Sequence, residues 1–144
     1  MTSRSLYARA IAGYSGTPLA KKLGIKDGST LALVNAPGHL DDDLAPLPAG
    51  VQVRRRAGDA DVALAFFTKR ADLERRIDDL ARNVFPNGGL WIAWPKKSSG
   101  VATDITEDTI RDVALPLGIV DNKVCAIDDT WSGLRLVWRK ERRG

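Results

Sequence analysis

The stretch WIAWPKKSSG, residues 91–100, sets two lysines and two serines directly behind an apolar run. Lys96, Lys97 and Ser98 are residue types that grip a phosphate or carboxylate, the ammonium groups as point charges and the hydroxyl as a short donor. A second polar group, Asp128-Asp129-Thr130-Trp131, follows another apolar segment. Its aspartates could pair with the lysines or accept from a ribose hydroxyl, and Trp131 could stack on a base or lid a pocket. Arg54, within Arg54-Arg55-Arg56, and Thr68 stand behind two further apolar runs. Together they describe a charge-balanced cleft with an aromatic wall, suited to a small anionic or nucleotide-like ligand. A plainer reading stands beside it: solvated turn lysines, a solvated strand end of arginines, an aspartate that forms an Asx turn, and a tryptophan that plugs the core.

His39 is the only histidine, and its imidazole alone has an ordinary pKa near neutrality. Its place beside Pro37-Gly38 would suit a general base. The sequence identifies neither a nucleophile for it to activate nor an acid to orient it, so a solvated loop histidine is the reading preferred here. Asp41-Asp42-Asp43 could be taken with His39 as a metal site. Consecutive residues point in different directions, however, and acids at the start of a short helix serve its dipole; no metal site is expected. Cys125 lies in an apolar segment and reads as inert packing, since reactive cysteines need exposed, electropositive surroundings.

Positioning these residues falls to alternating strands and helices. Thr17-Pro18 predicts a helix start, with Thr17 as the cap and Pro18 first inside, and Gly24 ends it. Strands are expected over 30–35, 51–55, 61–67 and 90–94, the first, third and fourth apolar on both faces as in a parallel sheet covered on both sides. A short helix or turn is expected around 38–44. The clearest helix runs over about 70–84, where Leu73, Ile77, Leu80, Ala81 and Val84 recur at helical spacing. Thr106 caps another helix whose stripe is Ile110, Val113, Ala114 and Leu117, with Pro116 distorting its last turn. Strands over 123–127 and 134–139 close the chain as an antiparallel pair, because their connection is short. The expected fold is α/β: a three-layer, Rossmann-like, mostly parallel sheet with a C-terminal antiparallel hairpin strand. In such sheets ligands bind at the carboxyl ends of the strands, where the five polar loops converge.

The 144 residues fit one domain, divided as a leader over 1–15, a Rossmann-like domain over 16–139 and a basic tail over 140–144. Leu6, Tyr7 and Ile11 could dock the leader on the body. The net charge is +4, but four cations, Arg139, Lys140, Arg142 and Arg143, crowd the C-terminus. That tail could attract polyanions, yet no helix-turn-helix or zinc-finger pattern accompanies it, so nucleic acid is not the expected partner. One cysteine allows no intramolecular disulfide framework and no paired-thiol zinc site. No apolar run approaches a membrane span and no signal peptide is evident, so the expected location is cytoplasmic and no membrane partner is expected. The sequence gives no oligomeric state.

Two segments resemble the class I S-adenosylmethionine-dependent methyltransferases: LGIKDGSTLALVNAP, 23–37, is similar to the helix end and first strand before their cofactor loop, and NVFPNGGLWIAW, 83–94, to their later helix, turn and strand. Those enzymes place a glycine-rich loop after the first strand and an acid at the end of the second. Here these positions read Asn35-Ala36-Pro37-Gly38 and Arg54-Arg55-Arg56. Three other stretches, GYSGTPLAKKLGIKDG, WIAWPKKSSGVATDIT and VDNKVCAIDDTWSGLRLVWRK, resemble the small bacterial proteins of the domain of unknown function thirty fifty-two family. That resemblance implies a fold and no activity. The expectation is a noncatalytic or regulatory module that binds a small anionic or nucleotide-like ligand, or a protein partner. The alternative is a degenerate methyltransferase-like enzyme. Catalytic residues and cofactor stay unassigned.

Overall fold

The computed structural model describes residues 17–143. Its elements run α1 (Leu19–Lys22), β1 (Thr30–Val34), α2 (Leu40–Leu44), β2 (Gln52–Arg54), β3 (Val62–Phe66), α3 (Arg70–Asn83), β4 (Gly89–Pro95), α4 (Glu107–Ala114), β5 (Ile119–Ala126) and β6 (Trp131–Trp138). The proposed leader, with Leu6, Tyr7 and Ile11, lies outside the described residues, as does Gly144.

The apolar runs do what their two-sided patterning requires. Every residue of β3 and β4 is buried, and successive side chains enter different cores. Leu64 and Phe66 join Leu23, Leu31, Leu33, Leu40 and Trp91 under α1 and α2. Ala63 and Ala65 face Leu73, Ile77, Leu80 and Ile110 of α3 and α4. The result is a three-layer α/β/α molecule around one six-stranded sheet, ordered β2-β1-β3-β4-β6-β5. Strands β2, β1, β3 and β4 pair in parallel. β6 runs antiparallel to both β4 and β5, and is inserted between them.

Two tryptophans tie the layers together. The Trp91 indole N–H donates to the Leu23 carbonyl at 2.9 Å on one face, and that of Trp138 donates to the Ala81 carbonyl at 2.8 Å on the other. Gly133 makes room for the first: a Cβ there would stand 3.1 Å from Trp91 Cε3 and 3.1 Å from Ile127 Cδ1. Helix caps also cross the sequence. Lys69 gives α3 no side-chain cap; Asp104, from the loop before α4, accepts from the Arg70 N–H at 2.7 Å instead. Thr106 and Thr109 form a reciprocal capping box on α4.

Several boundaries differ from the sequence reading. Helix α1 starts at Leu19, with Pro18 itself at the cap in extended geometry (ψ 146°) and no side-chain cap bond. The last two strands are longer than expected, starting at Ile119 and Trp131. Their full-length pairing carries a register shift between Asp121 and Lys123, a local irregularity that alternation alone does not reveal. Pro116 ends α4 through a 3₁₀ turn, Leu115–Leu117, closed by Gly118 at φ 93°. The basic tail folds back at its start: Lys140–Arg142 form a 3₁₀ turn, and Arg143 Nε donates to the Trp138 carbonyl at 2.9 Å. Among the described residues, no helix is long and apolar enough to cross a membrane.

Candidate functional site

The parallel strands bring the β1–α2 loop, the end of β2, the β3–α3 loop and the loop after β4 to one rim, where the β5–β6 turn joins them. Asn35, at φ 57°, turns the chain sharply off β1 and donates its side-chain amide to the Phe66 carbonyl at 3.1 Å. This left-handed geometry suits Asn better than most side chains. The turn sends Ala36 to His39 across the rim rather than straight into a helix.

His39 thereby reaches the β5–β6 turn. Its Nε2 lies 2.8 Å from Asp128 Oδ2 and 3.7 Å from Asp43 Oδ2, one helical turn along α2. Asp128 is itself held: its Oδ1 accepts from the backbone N–H groups of Thr130 and Trp131 at 2.8 and 2.7 Å. One carboxylate oxygen builds the turn and the other meets the imidazole. The Asp128 hydrogen bond is the main cause that raises the His39 pKa above its ordinary value; partial burial opposes it, and the Asp43 charge adds to it. His39 is 55% exposed at its side chain, against 20% for Asp43 and 18% for Asp128, so the imidazole is anchored at one nitrogen and open to solvent elsewhere. The arrangement can hold and pass a proton. The three ligand atoms also lie within 4.8 Å of one another, close enough that they could hold a divalent cation.

The lysines behind β4 sit on the same rim. Pro95 pairs with Trp131, and the Lys96 N–H donates to the Thr130 carbonyl at 2.8 Å, so the KKSS loop and the aspartate turn are neighbours through their backbones. Lys96 is half-buried, whereas Lys97 and Ser98 are exposed on a 3₁₀ turn that Ser99 fastens to the Lys96 carbonyl. The side-chain pairing differs from the expectation. Asp128 engages His39 rather than a lysine, and Asp129 projects into solvent. Trp131 is half-buried and meets Phe66 edge-on at 5.0 Å, across the small Ala93. Its ring closes the core under α2, which is the plug reading.

Thr68, half-buried, presents its carbonyl to the Thr103 hydroxyl at 2.6 Å and so fixes the β3–α3 loop. Arg54 lies apart from this group. It is exposed on the edge strand, with a long 3.5 Å contact to the Asp59 carbonyl, while neighbouring Arg55 pairs with Asp41 at 2.8 Å. Three strand spacings of about 4.8 Å separate β2 from β4, so Arg54 and Lys96 stand on opposite sides of the rim. Cys125 packs against the core under α1 and α2, and burial pushes its thiol pKa up despite Lys22 and Lys123 nearby. The packing is the one expected.

Sequence reasoning missed the His39–Asp128 contact. The residues stand 89 positions apart, and no local pattern couples them. The one available signal was that both close loops on the same edge of the expected sheet.

No family model matches the chain, so its likeness to the domain of unknown function thirty fifty-two family gains no support there. No curated protein matches it in sequence. Solved structures do match in fold. Magnesium protoporphyrin IX methyltransferase from Synechocystis PCC 6803, with bound SAM, superposes with a TM-score of 0.60 at 12% identity over 96% of this chain and 81% of that one. A SAM-dependent methyltransferase from Aquifex aeolicus gives 0.58 at 15% identity over 82% and 86%. A S-adenosylmethionine-dependent methyltransferase from Clostridium acetobutylicum ATCC 824 gives 0.56 at 7% identity over 95% and 98%. At such identities the likeness concerns architecture, and the chain therefore has the fold of the class I S-adenosylmethionine-dependent methyltransferases.

Proposed function

We propose that this protein is a methyltransferase-like binder of an adenosine-containing small ligand, S-adenosylmethionine or its demethylated product being the first to consider, seated on the carboxyl-end rim between the β1–α2 loop and the loop after β4. The observation that carries the reading is the sheet itself: the reversed β6 lies between β4 and β5, in an architecture shared with proteins described with bound SAM or SAH. The general rule for ligands in open α/β sheets points to the same rim.

The residues present do not reproduce the usual hold on that cofactor. Arg54 to Arg56 stand where an acid would receive the ribose hydroxyls, and Asn35-Ala36-Pro37-Gly38 offers one glycine for close backbone approach. His39, oriented by Asp128, is the group on the rim equipped to accept a proton from a bound hydroxyl or amine.

A second reading has its own observation. Cations replace the acid at β2, and Lys96 and Lys97 line the opposite side of the rim; this favours a noncatalytic module that takes a nucleotide-like anion, with Ser98 and Thr68 as hydroxyl donors, Asp128 and Asp129 beside them and Trp131 behind. Thermal denaturation with each ligand separates the two. Stabilisation by S-adenosylmethionine or S-adenosylhomocysteine, and not by adenine nucleotides, supports the first reading. Stabilisation by nucleotides alone, lost in Lys96→Ala, supports the second. A flat response to all of them at millimolar concentration sinks both.

A further inference from the structure

A cavity of about 690 Å³ opens at the opposite end of the sheet from this rim. Its origin is local. Helix α1 has only four residues, about 6 Å of length, and among the described residues Lys123 of β5 and Arg135 of β6 line the cavity beside it. The floor is Gly88 and the amino ends of β1, β3 and β4; the walls carry the cations Lys22, Lys26, Lys123 and Arg135 against the carboxylates Asp27 and Asp61.

Its charges are unbalanced in a specific way. Asp61 spends Oδ2 on the Thr30 N–H at 2.9 Å, and Lys123 donates to the Lys22 carbonyl at 3.1 Å. Arg135, on β6 opposite Trp91 and Lys123, folds its guanidinium over Gly89, whose missing side chain gives it space. It has no ion pair or side-chain hydrogen bond among the described residues. Burial, with Arg143 nearby, pulls its pKa below the ordinary arginine value. A partly desolvated guanidinium without an acceptor is costly, and a planar fork of donors is the group best matched to a phosphate or carboxylate. At the cavity's edge, beside Pro86, the Phe85 ring meets Trp138 edge-on at 5.2 Å and remains 48% exposed.

We propose that this amino-end cavity binds a small phosphate monoester carrying a ring, with the phosphate on Arg135 and Lys26 and the ring toward Phe85. The volume is within the range of small-molecule pockets. The site is independent of the rim, so either can fail without the other.

The test uses the whole chain with adenosine 5′-monophosphate, inorganic phosphate and a single-stranded oligonucleotide, followed by amide chemical shifts and calorimetry. The expected result is that the monophosphate perturbs Gly24, Asn87, Gly88 and Arg135 amides, binds more tightly than inorganic phosphate, and is weakened about tenfold in Arg135→Gln, the loss of roughly one charge-assisted hydrogen bond. Lys26→Gln, an exposed change that spares the core, should weaken binding in the same sense should Arg135→Gln fold poorly. Lys97→Ala on the rim should leave the ligand-induced shifts at Gly24, Asn87 and Gly88 unchanged. Perturbations confined to the rim, no saturable binding at millimolar ligand, or tighter binding of the oligonucleotide than of the mononucleotide would each overturn the proposal.

Discussion

Asp128→Asn tests the rim with little other disturbance, because an asparagine can keep one carbonyl oxygen for the Thr130 and Trp131 N–H groups while removing the charge that faces His39. His39 is the only imidazole in the chain, so a single proton resonance reports its titration without assignment. The Asp128 hydrogen bond raises the His39 pKa in the folded protein. The sign follows from linkage: a raised folded-state pKa contributes stability that is fully present below the unfolded value, about 6.5, and is lost as pH rises through the folded value. For a pair with its imidazole more than half exposed, screening limits the coupling to about 0.2–1 kcal/mol. The wild type should therefore titrate at higher pH than Asp128→Asn. Its urea stability advantage should be largest near pH 6 and shrink toward pH 8. Asp43→Asn, whose charge sits farther off, should move the titration less. Equal His39 titration in wild type and Asp128→Asn would refute the contact on which the site geometry rests.

Trp91→Phe should lower stability by about 2–3 kcal/mol in urea denaturation, since it shrinks a fully buried ring and strands the Leu23 carbonyl; a loss under about 0.5 kcal/mol would mean that the tie between α1 and the sheet carries nothing. Gly133→Ala should cost about 1–3 kcal/mol by crowding Trp91 and Ile127, with the midpoint of unfolding as readout. Cys125 should react with an aromatic disulfide reagent more slowly than free glutathione at neutral pH, because burial raises its thiol pKa and shields the sulfur; a rate equal to glutathione's would contradict its packing.

The strand cores were legible from their shortness and the turn residues that bound them. LALV, VALAF and LWIAW, short runs bounded by turn residues, fit strands buried on both faces of a covered sheet, and Leu73, Ile77, Leu80 and Ala81 share one helix face at a 3.6-residue period. The ends of elements were less legible. Pro18 at the cap and the full length of β5 depend on what they pack or pair with, and β5 carries an irregular, half-exposed edge pattern that hides its beginning. The rim was half legible: the loops that meet there follow from strand direction, so Lys96 and Asp128 could be placed together, but not which side chain Asp128 would choose.

By itself the chain's alternation of apolar runs, caps and breakers determined the layered architecture, since burying two-sided strands and one-sided helices admits few solutions. It also determined that the polar loops after β1, β3 and β4 share an end. The tertiary structure alone decided that Asn35 turns His39 across the rim to Asp128, that the Trp131 ring meets Phe66 edge-on, and that Arg135 lines a cavity beside the short α1. The physical reason is range: hydrophobic periodicity is written within a few residues, whereas a contact between positions 39 and 128 depends on how strands are ordered and how far each loop reaches, which no local pattern records.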